Sequence, residues 1–334
     1  MLFRSVSVIG AGLLLANLLR PARPEPSIAS AGDLERARAV IATSDQTLGN
    51  AALMGDKRLL FSDDGNAFLM YQVSGRSWVA LGDPVGPTNG VDDLLWRFRE
   101  LSDLHGGWTV FYQASRERLA HYVDLGLAAF KIGEEARVPL ATFSLDGSER
   151  ADLRQDHRRC VRDGAVFEVA PAKDVPALLP QLKVISDSWL GDKSTAEKHF
   201  SVGAFDEAYL SRFDMALVRR AGEVVAFANL WTTGTKRELS VDLMRFGPNS
   251  PRSAMDFLFA ELMLWGRAQG YGQFNLGMAP LAGLEQHPLA PVWHRAGNFV
   301  FRYGEHFYNF EGLRRYKAKF QPEWEPKYLV APGG

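Results

Sequence analysis

One order of elements, a helix, antiparallel strands, a helix and a further strand, occurs twice along the chain, and this repeat limits the fold more than any other feature. In the first half, Asp33 is placed as the N-cap of a helix running through Leu34-Glu35-Arg36-Ala37. Strands are expected at Arg58 to Phe61, Ala67 to Val73 and Ser77 to Leu81, joined by the turn residues Asp63-Asp64-Gly65-Asn66 and Ser74-Gly75-Arg76. Gly82-Asp83-Pro84-Val85-Gly86-Pro87 interrupts the pattern. A helix from Asp92 to Leu104, a strand from Trp108 to Gln113, a helix from Ser115 and a strand pair near Ala128 to Leu140 follow. The second half reads as helix Val175 to Trp189 and strands Asp214 to Arg219, Val224 to Thr232 and Lys236 to Met244, with Gly222 and Gly234 at the hairpins. A long helix from Arg252 to Gln269, a strand from Gln273 to Leu276 and a helix near Leu284 complete it. This is an α+β order, with mostly antiparallel sheets flanked by helices, rather than a doubly wound one. A basic helix, Ser148 to Arg162, joins the halves. The expected division is 1–31 as an apolar segment and linker, 32–147 as a first domain, 148–164 as the connecting helix, and 165–334 as a second domain.

The length suits such a plan, since 334 residues make one large unit or two of about 150. With 38 Lys+Arg against 39 Asp+Glu, the net charge of −1 excludes a strongly basic coat for nucleic acid. It leaves room for a local basic groove, because phosphate contact depends on where charge clusters. A single cysteine, Cys160, excludes an intrachain disulfide and any CxxC metal site, and points to a reducing compartment. The chain contains no GxxxxGK[ST], no HExxH and no GxSxG, and its seven histidines are scattered. A P-loop, a zinc-protease site and the common serine-hydrolase elbow are therefore unsupported.

Ser5 to Leu19 carries no charge and is mostly apolar, flanked by Arg4, Arg20 and Arg23. Fifteen helical residues reach roughly 22 Å, short of a bilayer core of roughly 30 Å. Three readings stay open: the trailing part of a transmembrane helix, a short membrane anchor, or a secretory signal with an A-x-A at Ala29, Ser30 and Ala31. The arginines after the apolar run favour a cytoplasmic body. Arg20 to Ala31, with three prolines, reads as a semi-rigid linker.

Three segments carry chemistry. In the basic helix, Arg154, Arg158 and Arg162 stand at i, i+4 and i+8 and form one stripe. It is either a solvated face balanced by Asp152 and Asp156, or a phosphate-contacting surface for RNA or lipid headgroups. In Ser240-Val-Asp242-Leu-Met-Arg245, regular strand alternation sets Val241 and Leu243 on the face opposite Asp242. A carboxylate there needs a charged partner, and Arg245 is the obvious one. The carboxylate is a structural ion-pair member, or else a base or substrate anchor. Near the C-terminus, Glu311, Arg314, Arg315, Lys317 and Lys319 alternate with aromatics at helical spacings. This is an amphipathic closing helix or an electropositive wall over an anionic substrate.

Gly82-Asp83-Pro84-Val85-Gly86, Ser188-Trp189-Leu190 with Glu197-Lys198, Phe200-Ser-Val-Gly203, Ser240-Val-Asp242-Leu-Met-Arg245, and Phe310-Glu-Gly-Leu-Arg314 through Lys317-Ala-Lys319-Phe320 form an ordered set. Taken together, from about residue 33 to 330, the set resembles the synthase domain of the bacterial lysylphosphatidylglycerol synthase (multiple peptide resistance factor) family, which includes alanyl-phosphatidylglycerol synthases. The resemblance implies tandem acetyltransferase-like (GNAT) folds. It also implies transfer of lysine or alanine from aminoacyl-tRNA to the glycerol hydroxyl of phosphatidylglycerol. The expected consequences are a less anionic membrane and resistance to cationic antimicrobial peptides.

Under this resemblance the protein is an aminoacyltransferase with no cofactor and no metal, aminoacyl-tRNA being the co-substrate. It sits at the cell membrane with its catalytic body on the cytoplasmic face. The family's many-span flippase portion has no counterpart in this sequence, so lipid translocation is not assigned and a flippase domain or protein becomes a further expected partner. Phe246-Gly-Pro-Asn-Ser-Pro-Arg252-Ser-Ala lacks the close-approach glycines of a coenzyme A pyrophosphate loop, which disfavours an acyl-CoA donor.

The expected roles are Asp242 as the base or the anchor of the substrate ammonium, and Arg245 orienting it or holding lipid phosphate. Lys317 and Lys319 are expected at the oxyanion or at tRNA phosphate. Arg154, Arg158, Arg162, Arg314 and Glu311 are expected to bind tRNA or lipid phosphate. Two alternatives stand beside this reading: a peptidoglycan-bridge aminoacyltransferase of the same fold, and a non-catalytic module that binds RNA or anionic lipid.

Overall fold

A computed structural model describes residues 26–87, 91–193, 200–284 and 310–333. The apolar segment before residue 26, Glu197-Lys198 and residues 285–309, where the helix near Leu284 was expected to run, lie outside the described residues. Among the described residues no helix is long and apolar enough to cross a membrane.

Helix α1 (Ala31–Thr43) opens the body. Its N-cap is Ser30, not Asp33 as expected. The Ser30 hydroxyl accepts from the Asp33 N–H at 3.2 Å, and the Asp33 carboxylate accepts from the Ser30 N–H at 3.0 Å. Asp33 thus closes a capping box from the third helical position. Strands β1 (Arg58–Phe61), β2 (Phe68–Ser74) and β3 (Ser77–Leu81) form the expected meander, and α2 (Val91–Leu104) crosses to β4 (Trp108–Ser115), parallel to β3. After the short α3 (Leu119–Asp124) comes β5 (Leu127–Pro139).

The strand pair expected near Ala128 to Leu140 is this one 13-residue strand. Gly133 makes no turn there. A Cβ on it would collide with the Ala279 carbonyl of the neighbouring strand, so the glycine permits close approach.

The basic connector is α4 (Ala151–Arg162), followed by β6 (Ala165–Ala170), α5 (Val175–Lys193) and the short α6 (Glu207–Leu210). Strands β7 (Met215–Arg220), β8 (Glu223–Thr232) and β9 (Glu238–Phe246) repeat the meander. Helix α7 (Ala254–Ala268) then crosses to β10 (Gln273–Pro280), parallel to β9. Helix α8 (Phe310–Ala318) leads into β11 (Glu323–Pro332).

The eleven strands among the described residues form one sheet in the order β1-β2-β3-β4-β11-β5-β10-β9-β8-β7-β6. Only β3–β4 and β9–β10 are parallel. The closing strand of each half lies beside the parallel strand of the other: β11 pairs with β4, β5 pairs with β10, and β5 and β11 pair with each other over ten residues. The sequence reading placed no strand at β11 or β6.

The core follows this layering. On one face α4 and α7 bury Leu153, Phe257, Phe259 and Met263 against Val138, Leu239 and Phe274. On the other, α1, α5 and the 3-10 segment Thr47–Met54 bury Ile41, Leu53 and Leu182 against Phe227, Trp231 and Leu243. Each such side chain stabilises the fold by about 1.5–3 kcal/mol of transfer free energy. Cys160 lies fully inside the first cluster, where burial pushes its thiol up to about 11, so it is a core residue and not a nucleophile.

Candidate functional site

The site begins where a parallel strand pair comes apart. β9 and β10 are paired only from Glu238 to Ser240 and from Gln273 to Asn275. Beyond that point β9 stays with β8 while β10 follows β5, and each strand carries an irregularity at the parting. In β10 the break is at Gly277, whose φ of 78° is left-handed. In β9 it is a bulge, since Val241 pairs with Leu230 but Met244 pairs with Ala228. The Asn229 side chain caps this bulge by accepting from the Leu243 N–H at 2.7 Å.

The bulge corrects the simple alternation read from the sequence. Asp242 and Leu243 both turn toward the α5–α6 face, where Leu243 joins the cluster that contains Tyr209. The Asp242 carboxylate accepts from the Tyr209 hydroxyl at 2.6 Å and from the Gly203 N–H at 2.8 Å. The Trp231 N–H donates to the Tyr209 oxygen at 2.9 Å, which fixes the direction in which Tyr209 donates. A Cβ on Gly203 would fall on the Asp242 carboxylate, so only glycine fits there.

Burial raises the Asp242 pKa above its ordinary value, against the opposing pull of Tyr209, the Gly203 amide, and the charges of Lys57 and Arg245. Arg245, expected as the direct partner, is buried with its guanidinium 4.1 Å from the Trp189 ring centroid and donates to the Met244 carbonyl at 2.9 Å. It acts on Asp242 through its field.

A cavity of about 580 Å³ lies at the split. Asp242, Trp231 and Tyr112 line it from one side, and Phe310, Leu313 and Lys317 of α8 from the other. Buried Lys317 donates to the carbonyls of Gly277 and Met278, both at 2.9 Å, just where β10 leaves β9. An ammonium has three donors, and two of them are used among the described residues. Burial lowers the Lys317 pKa to about 8, with Glu135 opposing the shift.

Glu135, also in the cavity wall, is buried. Burial alone would raise its pKa, but Lys327 at 3.2 Å and Arg137 at 2.7 Å outweigh that and hold it down at about 2.

The first half supplies part of the same site. Thr47 donates its N–H and hydroxyl to Glu238 of β9 at 2.9 and 2.6 Å, which locks the 3-10 segment onto the second half. Buried Lys57 pairs with Asp56 at 2.6 Å, and burial lowers its pKa. Asp56 in turn accepts from the Phe200 N–H at 3.4 Å. Phe200 to Gly203 is therefore held at both ends by carboxylates, Asp56 from one half and Asp242 from the other.

Asp242 and Lys317 thus meet in one cavity. Lys319 turns away, to pair with Asp256 at 3.1 Å. Arg154 donates to the carbonyls of its own loop, Leu145 at 2.6 Å and Gly147 at 2.8 Å, whereas Arg158 and Arg162 stand on the outer face of α4. Arg314 reaches Glu134 at 3.3 Å and covers Trp324, and Glu311 is exposed at the start of α8. Sequence reasoning missed Tyr209, Lys57, Tyr112 and Glu135. Gly203 alone had a signal, as the last residue of Phe200-Ser-Val-Gly203.

Comparison with known proteins agrees with this architecture. The solved C-terminal domain of a putative lysylphosphatidylglycerol synthetase from Agrobacterium fabrum is 45% identical with a TM-score of 0.84, over 92% of this chain and 93% of that one. L-PGS from Bacillus licheniformis is 36% identical with a TM-score of 0.80, over 92% and 93%. FemX, at 10% identity and a TM-score of 0.60 over 92% and 97%, shares the fold alone. Phosphatidylglycerol lysyltransferase of Bacillus subtilis (strain 168) is 41% identical over 285 residues, 85% of this chain and 33% of the relative. That of Staphylococcus aureus (strain MRSA252) is 37% identical over 284 residues, 85% and 34%. The chain spans about a third of the length of these curated relatives. The tandem acetyltransferase-like fold that the resemblance implies, and with which the repeated element order agrees, is the fold. With its residues 36–331 matching the family model "Phosphatidylglycerol lysyltransferase, C-terminal", the chain belongs to that family.

Proposed function

We propose that this chain moves a lysyl or alanyl group from aminoacyl-tRNA to a glycerol hydroxyl of phosphatidylglycerol, at the cytoplasmic face of the membrane. The observation that carries this reading is that Asp242 and Lys317 line one cavity where β9 and β10 part, in a chain whose relatives are named phosphatidylglycerol lysyltransferase.

The chemistry is ester exchange. The lipid hydroxyl oxygen attacks the aminoacyl carbonyl, its proton passes to Asp242, and the carbonyl oxygen becomes an oxyanion. Collapse breaks the bond to the tRNA ribose oxygen, which takes a proton as it leaves. One ester replaces another, so the exchange requires no ATP and no redox partner. Asp242 suits the role of base because burial makes it a better proton acceptor, while Tyr209 and Gly203 fix its orientation. The third donor of Lys317 serves the oxyanion. Neutralising part of the lipid charge would lower the membrane's attraction for cationic peptides.

The test is lipid extraction from a host that makes no aminoacylated lipid. Expression of the chain should yield a new cationic derivative of phosphatidylglycerol, and its mass would identify the amino acid. Absence of any such lipid, with the protein folded and aminoacyl-tRNA present, would contradict the proposal. Appearance of the amino acid on a cell-wall precursor instead would favour the peptidoglycan-bridge reading.

A further inference from the structure

A second cavity, of about 550 Å³, lies at the end of β9 against the first turn of α7. Its wall is mainly apolar and includes Trp189, Met244, Phe246, Met255, Phe259 and Tyr316. Met244 also lines the Asp242–Lys317 cavity, so the two spaces adjoin at this residue. Tyr316 and Lys317, adjacent on α8, face one space each.

In position this is the start of a helix, and part of the backbone there is bonded within the loop. The Ala254 N–H donates to the Pro251 carbonyl at 3.0 Å and the Ser250 N–H to Gly247 at 3.1 Å. What the loop offers instead is apolar surface, with Phe246 exposed and the exposed Arg252 in its wall. The buried Asp256 carboxylate in the lining is paired with Lys319 at 3.1 Å, and Arg252 adds an exposed cation, so an apolar pocket of this size fits an amphiphile with an anionic headgroup better than a nucleotide.

Building on the proposed lipid transfer, we propose that this pocket seats the glycerol-proximal part of an acyl chain of the lipid acceptor, so that the headgroup extends past Met244 toward Asp242 and Lys317. Seating the chain there converts apolar burial into placement of the hydroxyl, which lowers the entropy cost of the attack. Phosphatidylglycerols with long chains should then outperform one whose chains are too short to fill the pocket.

The experiment measures kcat/KM of the full chain for dioleoyl- and dihexanoyl-phosphatidylglycerol, at fixed detergent and fixed aminoacyl-tRNA. The wild-type preference for the long-chain lipid should fall at least tenfold in Phe246→Glu and in Met255→Glu. A preference unchanged in both variants overturns the proposal. A rise only in KM for aminoacyl-tRNA also overturns it, by making the pocket a donor site. In parallel, phosphatidylglycerol bearing a diazirine near the glycerol end of one acyl chain should label residues 244–259. Labelling confined to other segments overturns the proposal. If the wild type modifies neither lipid, the transfer reading fails, and the photolabel still decides whether the pocket holds an acyl chain.

Discussion

At the residue scale, the account rests on how Asp242 is held. Its two oxygens are occupied by Tyr209 and Gly203, and the glycine leaves no room for a methyl group. Gly203→Ala should therefore displace the carboxylate. The expected result is a fall in kcat of about 10²-fold or more, the scale of losing a positioned base, while thermal unfolding shows the core intact. A variant with near wild-type kcat would contradict this placement.

The two titrating groups set a pH window. Asp242 must be ionised to accept a proton, and burial raises its pKa, so activity should fall with acidification at a pH above that of an ordinary aspartate. Lys317 must be charged to donate, and burial lowers its pKa to about 8, so activity should also fall as the pH rises through that value. Lys317→Arg keeps its charge far above this range, and whatever activity remains should lack the alkaline decline. A wild-type rate that climbs steadily from pH 8 to 10 would show that Lys317 works in its neutral form. The sequence made Asp242 and Lys317 visible, because a carboxylate in an apolar strand and a lysine in an aromatic-rich helix are unusual. It could not show Tyr209 or Lys57, which reach the site only through tertiary packing.

At the scale of elements, local rules located most strands and helices but not their irregularities. Glycines at Gly65, Gly75 and Gly222 have positive φ in the turns where they were expected. Gly133 serves a close strand approach instead, and nothing local distinguishes the two uses. The β9 bulge was equally hidden, since it depends on Asn229 in the neighbouring strand accepting from the Leu243 N–H. The basic helix α4 shows the same limit. Spacing aligned Arg154, Arg158 and Arg162, yet Arg154 is committed to the carbonyls of Leu145 and Gly147. If the stripe contacts tRNA, Arg158→Ala should flatten the log–log salt dependence of binding by about 0.7–0.9, one phosphate contact. Arg154→Ala should leave that slope unchanged and instead loosen the loop before α4. Equal slope changes in both variants, measured by filter binding, would return Arg154 to the phosphate surface.

At the scale of the whole molecule, β5 and β11 tie the halves together by lying across the boundary between them. The element order could reveal two similar halves, but strand exchange is a long-range pairing with no local signature. Removing residues 319–334 should strip β4 and β5 of a shared neighbour, so both halves should lose their cooperative unfolding transition. A truncated chain that melts sharply near the wild-type temperature would contradict this interdependence. The same joining places Thr47 and Tyr112 of the first half in the cavity wall beside Asp242 and Lys317 of the second. The central claim is that this composite cavity carries out aminoacyl transfer with Asp242 as base. Its most direct test is single-turnover transfer from radiolabelled aminoacyl-tRNA to phosphatidylglycerol, comparing the wild type with Asp242→Asn at matched tRNA occupancy. The account predicts transfer about 10²–10⁴-fold slower in the variant with donor affinity unchanged; lipid labelling at the wild-type rate would contradict it.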